Sequence, residues 1–144
     1  MLSIDTNILF AACEATAPNH AGARSFVESH RDNSDLVLCE LVLVELYLLL
    51  RNPAVVANPL SARNAGHLIL ALRQNPKWRL VEHASVMDAV WAKAGHDPFA
   101  RRRVIDIRLA LTLQHHGVTD FATVNTTDFR DVGFRRVWNP LAVH

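Results

Sequence analysis

The chain has 144 residues, of which 50% are hydrophobic and 20% are charged, a composition that is typical of a globular protein and excludes a disordered one. Its formal net charge of +1 provides no global basic field that would indicate a nucleic-acid partner, and its two cysteines are too few for a disulfide scaffold. Asp5 interrupts the opening apolar run before a signal peptide can form, and the longest apolar run, at residues 41–50, is too short to span a bilayer. We therefore expect a soluble, cytoplasmic protein with one domain over residues 1–144 and no membrane partner.

Strand and helix signals alternate along the chain. In chain order, the sequence predicts a strand at 2–4, a helix at 18–30, a strand at 36–39, a helix at 41–51, a helix from Ser61 to about Asn75, a strand at 78–81, a helix after Ser85, a helix at 101–116, a strand at 121–124 and a strand at 134–138. Strands that are separated by helices predict an α/β fold with a central parallel sheet and helices on both faces.

Local signals mark several of the predicted helix ends. Ser61 and Ser85 are residues that favour the N-cap position, and Asp88 follows Ser85 at the spacing of a capping box. Pro76 ends the helix that Ser61 begins, and Gly117 stands where a glycine commonly ends a helix.

Four acidic residues stand in apolar or strand-end segments. Asp5 ends the first strand, Glu45 interrupts the apolar run 41–50, Asp106 interrupts a second apolar helix, and Asp128 follows the strand at 121–124. An ionised carboxylate in apolar surroundings is unfavourable unless an opposite charge or hydrogen bonds compensate it. Four such acids together indicate a cation that all of them bind.

Strand direction distinguishes Asp128 from Asp120, which lies near it in the sequence. In an open parallel sheet, binding sites form at the carboxyl ends of the strands. Asp5, Asn125 and Asp128 follow strands and are expected at that edge, whereas Asp120 precedes its strand and is expected at the opposite edge, roughly 13 Å away. We therefore include Asp128 in the predicted site and exclude Asp120.

Oxygen-only ligands favour a hard cation. Mg²⁺ and Mn²⁺ prefer carboxylate oxygens and retain several waters, and a bound cation relieves the repulsion between clustered carboxylates. Thr6, Asn7 and Asn125 are then predicted to orient the carboxylates or the bound waters. An alternative for Glu45 and Asp106, taken singly, is a structural ion pair with a nearby arginine such as Arg51 or Arg108.

These motifs together resemble the PIN domain, and most closely the VapC-type toxins of bacterial and archaeal toxin–antitoxin pairs. The shared motifs are hydrophobic-Asp-Thr-Asn at Asp5, Val-Glu-Leu around Glu45, Asp106 on a late helix, and Thr-x-Asn-x-x-Asp-Phe at 123–129. The resemblance implies an endoribonuclease that depends on Mg²⁺ or Mn²⁺, is often dimeric and is held inactive by a cognate antitoxin. It also implies metal-binding, catalytic roles for Asp5, Glu45 and Asp106. Many members have an acid where Asn125 stands, so Asp128 is the candidate for the fourth acid.

Arg101, Arg102 and Arg103 precede Asp106 by about one turn. A charge run of this kind commonly forms a solvated helix start, but cations at a helix N-terminus oppose the helix dipole by roughly 0.3–1 kcal/mol each. A phosphate backbone nearby would compensate for that cost, so the three arginines are predicted to contact RNA.

Two other functions stay open at this point. A strand-end aspartate such as Asp5 can act as the nucleophile of a phosphotransferase. The phosphatase families that begin in this way resemble Asp-x-Asp, however, and here Asn7 occupies the position of the second aspartate. The chain could also be an inactive PIN-like module that only binds RNA or a protein. The apolar helix surfaces at 41–50 and 68–72 lead us to expect a homodimer. The resemblance to VapC-type toxins adds an antitoxin that lays a segment over the acidic site.

Overall fold

A computed structural model of the protein describes residues 1–142, so the last two residues of the predicted domain lie outside the described part. The strands are β1 (Leu2–Ile4), β2 (Leu36–Cys39), β3 (Arg79–Val81), β4 (Asp120–Ala122) and β5 (Arg136–Trp138). The helices are α1 (Thr6–Cys13), α2 (His20–Ser29), α3 (Glu40–Leu50), α4 (Ala62–Arg73), α5 (Met87–Ala94), α6 (Arg103–His115) and α7 (Thr126–Phe129).

The five strands form one sheet in the order β3-β2-β1-β4-β5, and every pairing is parallel. Parallel strands need crossover connections, which are almost always right-handed. After β1 the chain adds β2 and then β3 on one side of β1, and it later crosses back to add β4 and β5 on the other side. Right-handed crossovers in these two opposite directions place α1–α4 on one face of the sheet and α5–α7 on the other. Contacts of α1 with α2 and α3, of α3 with α4, and of α6 with α5 and α7 agree with these two layers. The predicted α/β fold class is confirmed.

The fully buried strand β2 and the largely buried strand β4 form the centre of the molecule. All four residues of β2 are buried, as expected for a central strand that helices cover on both faces. Phe121 of β4 is completely buried and packs edge-on against Phe129 at 4.8 Å and stacks with Phe134 at 5.1 Å. This core fixes the segments that follow β1 and β4, which carry the acidic site.

Most predicted elements are confirmed, with shifted ends. Ser61 caps α4, since its hydroxyl accepts a hydrogen bond from the backbone N–H of Asn64, and Gly117 adopts a φ of +89° after α6. The predicted Ser85 cap is wrong, because α5 begins after Val86 and has no side-chain cap. The predicted helix at 101–116 begins only at Arg103, so the first two arginines lie in the preceding turn.

Two helices were not predicted from the sequence. Helix α1 begins directly after Asp5, which occupies its N-cap, and its apolar residues are too continuous to give a helical period. Helix α7 is a single turn that carries Asp128. In the described part of the chain, no helix has both the length and the apolar character that are needed to span a bilayer.

Candidate acidic active site

The site lies where the sheet reverses its strand order. The chain runs outward from β1 on one side and from β4 on the other, so the crevice between these neighbours is the topological switch point at which parallel sheets bind ligands. Ile4 and Ala122 end the two strands in register. Asp5 and Thr123 follow them and therefore meet at the carboxyl edge.

Asp5 is a buried carboxylate that three polar groups hold in place. Its Oδ1 accepts a hydrogen bond from the Thr6 backbone N–H at 2.8 Å. Its Oδ2 accepts one from the Thr123 hydroxyl at 2.6 Å and a longer one from the Asn7 amide at 3.3 Å. Asn7 in turn accepts a hydrogen bond from the backbone N–H of Val124. The segments after β1 and β4 are thus tied together around one carboxylate.

Thr6 connects Asp5 to the second acid. Its hydroxyl donates to Oε2 of Glu45 at 2.9 Å, while its backbone N–H donates to Asp5. Glu45 lies near the middle of α3, on the half-exposed side of that helix. One residue of α1 therefore positions two of the four predicted acids.

Asp106 and Asp128 complete the acidic group from the other layer. Asp106 lies in the first turn of α6 and is half-buried, whereas Asp128 is exposed on α7. The pKa of Asp106 is raised first by burial and then by the negative charges of Asp128 and Glu45, with partial opposition from Arg103 and Arg102. Asp128 is therefore near Asp106.

Burial is the main reason for an unusual titration of Asp5. Burial and, to a smaller extent, the negative charges of Glu45 and Asp106 raise the pKa of Asp5, while the hydrogen bonds from Thr123 and Thr6 lower it. The net result is a pKa that is raised from 3.8 to about 6. A bound cation would relieve the electrostatic repulsion among these three carboxylates.

The ion-pair alternative for Glu45 and Asp106 does not match the described residues. Within residues 1–142, neither acid is in salt-bridge contact with a basic group. Arg51 bonds to the hydroxyl of Tyr47 and Arg108 bonds to His83. The negative charge of these two acids is therefore not neutralised by the arginines that the sequence suggested.

Asp120 lies at the opposite edge of the sheet. It is the first residue of β4, in register with Leu2, and its carboxylate forms a two-pronged contact with Arg135. The hydrogen bonds from Arg135 lower the pKa of Asp120 below its usual range. The strand-direction argument thus agrees with where the structure places this residue.

A cleft of about 450 Å³ opens between α3 and the start of α6. Its walls carry Glu45 and Asp106 together with Arg102, and apolar residues form the rest. Arg101 is exposed, and the Arg103 guanidinium lies 5.9 Å from the centre of the Phe99 ring. Of the three arginines, Arg102 is the one that lines the cleft with the acids.

The four acids are the type of ligand that a hard cation prefers, but their side chains do not converge on one point. All four acids supply oxygen ligands, which Mg²⁺ and Mn²⁺ prefer. In the described part of the chain, no three histidine, cysteine, aspartate or glutamate side chains are close enough to hold one metal ion as they stand. The acids are linked by their mutual electrostatic effects, and binding a cation would require their side chains to converge.

Thr123 was not among the residues predicted for the site. It donates to Asp5 and accepts hydrogen bonds from the Asn7 amide and the Asn125 backbone N–H. Asn125 itself is exposed and contributes this backbone donor. The sequence signal for Thr123 was its place directly after a strand, in the same motif as Asn125 and Asp128.

Comparison with known proteins defines the class. The family model of the PIN domain matches residues 2–137, and the chain belongs to the PIN-domain family. It is 50% identical over 141 residues to ribonuclease VapC24 of Mycobacterium tuberculosis, in strains CDC 1551 / Oshkosh and H37Rv, with 98% of this chain and 97% of the relative covered. The predicted family and the predicted similarity to VapC-type ribonucleases are both confirmed.

Solved structures share the fold at low sequence identity. Mycobacterium tuberculosis VapC20, a toxin that cleaves the sarcin–ricin loop, matches with a TM-score of 0.71 and 17% identity over 93% of this chain and 96% of that one. FitAB bound to an IR36 DNA fragment matches with a TM-score of 0.64 and 20% identity over 100% and 98%. FitAcB from Neisseria gonorrhoeae matches with a TM-score of 0.64 and 21% identity over 99% and 100%. At these identities the likeness concerns the fold alone.

Proposed function

We propose that this member of the VapC-type ribonucleases is a Mg²⁺- or Mn²⁺-dependent endoribonuclease and the toxin of a type II toxin–antitoxin pair, acting on RNA in the cytoplasm. The observation that carries the proposal is the group of Asp5, Glu45 and Asp106 around the switch point of the sheet, none of which forms a salt bridge within residues 1–142. When bound there, a divalent cation lowers the pKa of a water nucleophile and stabilises negative charge on the phosphodiester.

The residues of the chain have distinct proposed roles. Asp5, Glu45 and Asp106 are the proposed metal-binding, catalytic acids, and Asp128 adds negative charge beside Asp106. Thr6 and Thr123 hold the carboxylates of Asp5 and Glu45 by hydrogen bonds, as groups behind metal ligands commonly do.

Asn7 and Asn125 support this arrangement from either side of the crevice. Asn7 contacts both Asp5 and Thr123, and Asn125 donates its backbone N–H to Thr123. The hydrogen bonds to Asp5 fill both positions on Oδ2 and leave one position free on Oδ1. A metal-binding role uses the carboxylate without breaking them.

Arg101, Arg102 and Arg103 are proposed to bind the RNA backbone. Arg102 lines the acidic cleft, so a phosphate that enters the cleft meets a guanidinium beside the acids. Arginine recognises phosphate oxygens through several N–H donors at once. These contacts would position the strand without reading its sequence.

The proposed partners are a cognate antitoxin and a second copy of the chain. Val44, Leu48 and Leu70 are 54%, 61% and 45% exposed, and together they form an apolar surface between α3 and α4. A surface of this kind suits burial against a partner. Light scattering at micromolar concentration is expected to give a homodimer, and a strict monomer would contradict the dimer while leaving the antitoxin in place.

The nuclease proposal is tested with purified, antitoxin-free protein and total cellular RNA. Cleavage is expected with Mg²⁺ or Mn²⁺ and is expected to stop in EDTA. The Asp106→Asn variant, purified in the same way, controls for contaminating ribonucleases because it keeps the shape of the side chain and removes its charge. Equal cleavage in EDTA, or equal cleavage by the variant, would refute the metal mechanism; no cleavage of any RNA would favour an inactive binding module.

A further inference from the structure

Helices α3 and α6 line two separate pockets, of which the acidic cleft is one. A second pocket of about 190 Å³ is lined by Leu41 and Val44 of α3 and by Arg108 and Thr112 of α6. The early part of α3 therefore faces the later part of α6, whereas the acidic cleft joins the later part of α3 to the start of α6. The two helices therefore run antiparallel, and we call the surface that holds both pockets the α3–α6 groove. The pockets are about six residues of α6 apart, or roughly 9 Å.

Arg108 carries a charge that the described residues do not neutralise. Among residues 1–142, no carboxylate forms a salt bridge with it. Glu40 also lines the pocket, but its Oε1 is bound to Arg73 at 2.6 Å. The second pocket thus presents an arginine whose charge is available to a ligand.

The partner of Arg108 adds a second donor. Nη2 of Arg108 lies 2.9 Å from Nδ1 of His83. A guanidinium can only donate, so Nδ1 of His83 must accept, and the neutral ring then carries its proton on Nε2. The pair consequently combines the remaining guanidinium N–H groups with an imidazole N–H, and its exposed histidine is accessible from solvent.

This pair lies toward the same edge of the sheet as the acids. Cys39 ends β2 at the carboxyl edge and lines the second pocket with Arg108. Burial raises the pKa of the Cys39 thiol, and the positive charge of Arg108 is one of the effects that oppose the rise. A strand of nucleic acid that crosses the acidic cleft can therefore reach Arg108 without leaving that edge.

We propose that Arg108 and His83 form a second phosphate-binding subsite, which holds the RNA backbone next to the acidic cleft. The subsite rests on the proposed nuclease function and extends it by defining the path of the substrate. The strand runs along the α3–α6 groove, with Arg102 at one end and Arg108 at the other. Both contacts are to phosphate, so they contribute affinity and orientation independent of base sequence.

The test measures binding of a short, fluorescein-labelled single-stranded RNA of mixed sequence in EDTA, over a series of KCl concentrations. Arg108→Gln is expected to weaken binding roughly tenfold, as loss of a hydrogen-bonded charge does. It should also reduce the slope of log K against log[KCl] by about 0.7, the value for one phosphate contact to a single strand. His83→Ala removes a neutral donor and is expected to weaken binding by a smaller factor at an unchanged slope.

Arg31→Gln is the matched control. Arg31 precedes β2 at the amino edge, and its 3.9 Å contact with Glu28 joins two largely exposed side chains, so its removal should leave folding and RNA binding as in the wild type. If circular dichroism shows that Arg108→Gln does not fold, the subsite is tested with His83→Ala instead, because His83 is exposed. Unchanged RNA binding by His83→Ala would then overturn the subsite.

Other outcomes separate this subsite from the nuclease itself. Wild-type affinity and slope in Arg108→Gln, or no RNA binding by the wild type, would overturn the subsite. Loss of antitoxin binding with unchanged RNA binding would assign the pocket to an acidic protein segment and also overturn it. Because binding is measured in EDTA, a protein that shows the expected pattern but cleaves no RNA retains the subsite and loses only the nuclease function.

Discussion

Asp5 follows β1 and Asp120 begins the neighbouring strand β4, so the two acids lie at opposite edges of the sheet, where their carboxyl groups have contrasting surroundings. Asp120 receives two hydrogen bonds from Arg135, and these lower its pKa. Asp5 is buried near Glu45 and Asp106, and its pKa is raised to about 6. The amino edge thus neutralises its acid within the protein, whereas the carboxyl edge concentrates negative charge.

This contrast distinguishes an acid whose charge is neutralised within the protein from one whose charge is not, without reference to either sequence motif. An acid with a basic partner needs nothing more for its charge to be stable. A buried acid with acidic neighbours is less stable when ionised and gains most from a cation. The contrast can be tested by removing each charge in turn.

The largest effect is expected from Asp5→Asn, which keeps the shape of the side chain and removes its charge. RNA cleavage in Mg²⁺ is expected to fall more than about 100-fold, beyond the loss typical of a group behind the metal ligands. Circular dichroism and thermal unfolding should show a folded variant. Retained cleavage would place Asp5 in the same structural class as Asp120.

The second prediction concerns the pH dependence of metal-free stability. Between pH 3.8 and about 6 the native protein retains a proton on Asp5 that the unfolded chain has released, so the free energy of unfolding falls as the pH rises through this window. The contribution of Asp5 to that fall is roughly 3 kcal/mol. Urea unfolding in EDTA should therefore show that the free energy of unfolding of Asp5→Asn, relative to that of the wild type, increases from pH 4 to pH 7. A difference that does not change with pH would contradict the prediction.

A smaller effect is expected from Thr123→Val, which removes the hydroxyl that donates to Asp5 at 2.6 Å. The pKa of Asp5 should rise further, because this hydrogen bond lowers it. Calorimetric titration with Mn²⁺ at pH 7 is expected to show an affinity loss of about 10- to 100-fold. Thr123→Ser keeps the hydroxyl and should bind nearly as the wild type does; equal losses in both variants would point to packing instead.

The smallest effects distinguish Asp128 from Asp120. Asp128→Asn removes a charge that raises the pKa of Asp106 and should reduce cleavage by less than about tenfold, the lower end for a supporting group. Asp120→Asn should cleave as the wild type does and lose less than about 1 kcal/mol of stability, because Arg135 is largely exposed. The reverse ranking in cleavage assays would reverse the assignment of the two edges.

Signals that are local in the sequence predicted the fold and the candidate acids. Strand β2 coincides with its predicted range, since a four-residue apolar run between turn signals has few other interpretations. Glu45 and Asp106 were identifiable because each interrupts an apolar helix. Asp120 was separated from Asp128 by strand direction, which follows from the alternation of strands and helices.

Contacts between distant segments could not be predicted in this way. The bond from Thr123 to Asp5 joins residues 118 positions apart and depends on the register in which Ile4 faces Ala122. The Thr6 to Glu45 bond depends likewise on how α1 packs beside α3. The place of Thr123 directly after a strand indicates that it lies at the carboxyl edge, but it does not identify Asp5 as its hydrogen-bond partner.

The hydrogen bonds of Asp5 also limit how many of its oxygen lone pairs remain for a ligand. A carboxylate offers about four acceptor positions. The Thr6 N–H occupies one on Oδ1, and the Thr123 hydroxyl and Asn7 amide occupy both on Oδ2. One position on Oδ1 is left, so the metal contact that we propose for Asp5 would use a single oxygen. Two-oxygen chelation would require Asp5 to give up a hydrogen bond on Oδ2, either the one from the Thr123 hydroxyl or the longer one from the Asn7 amide.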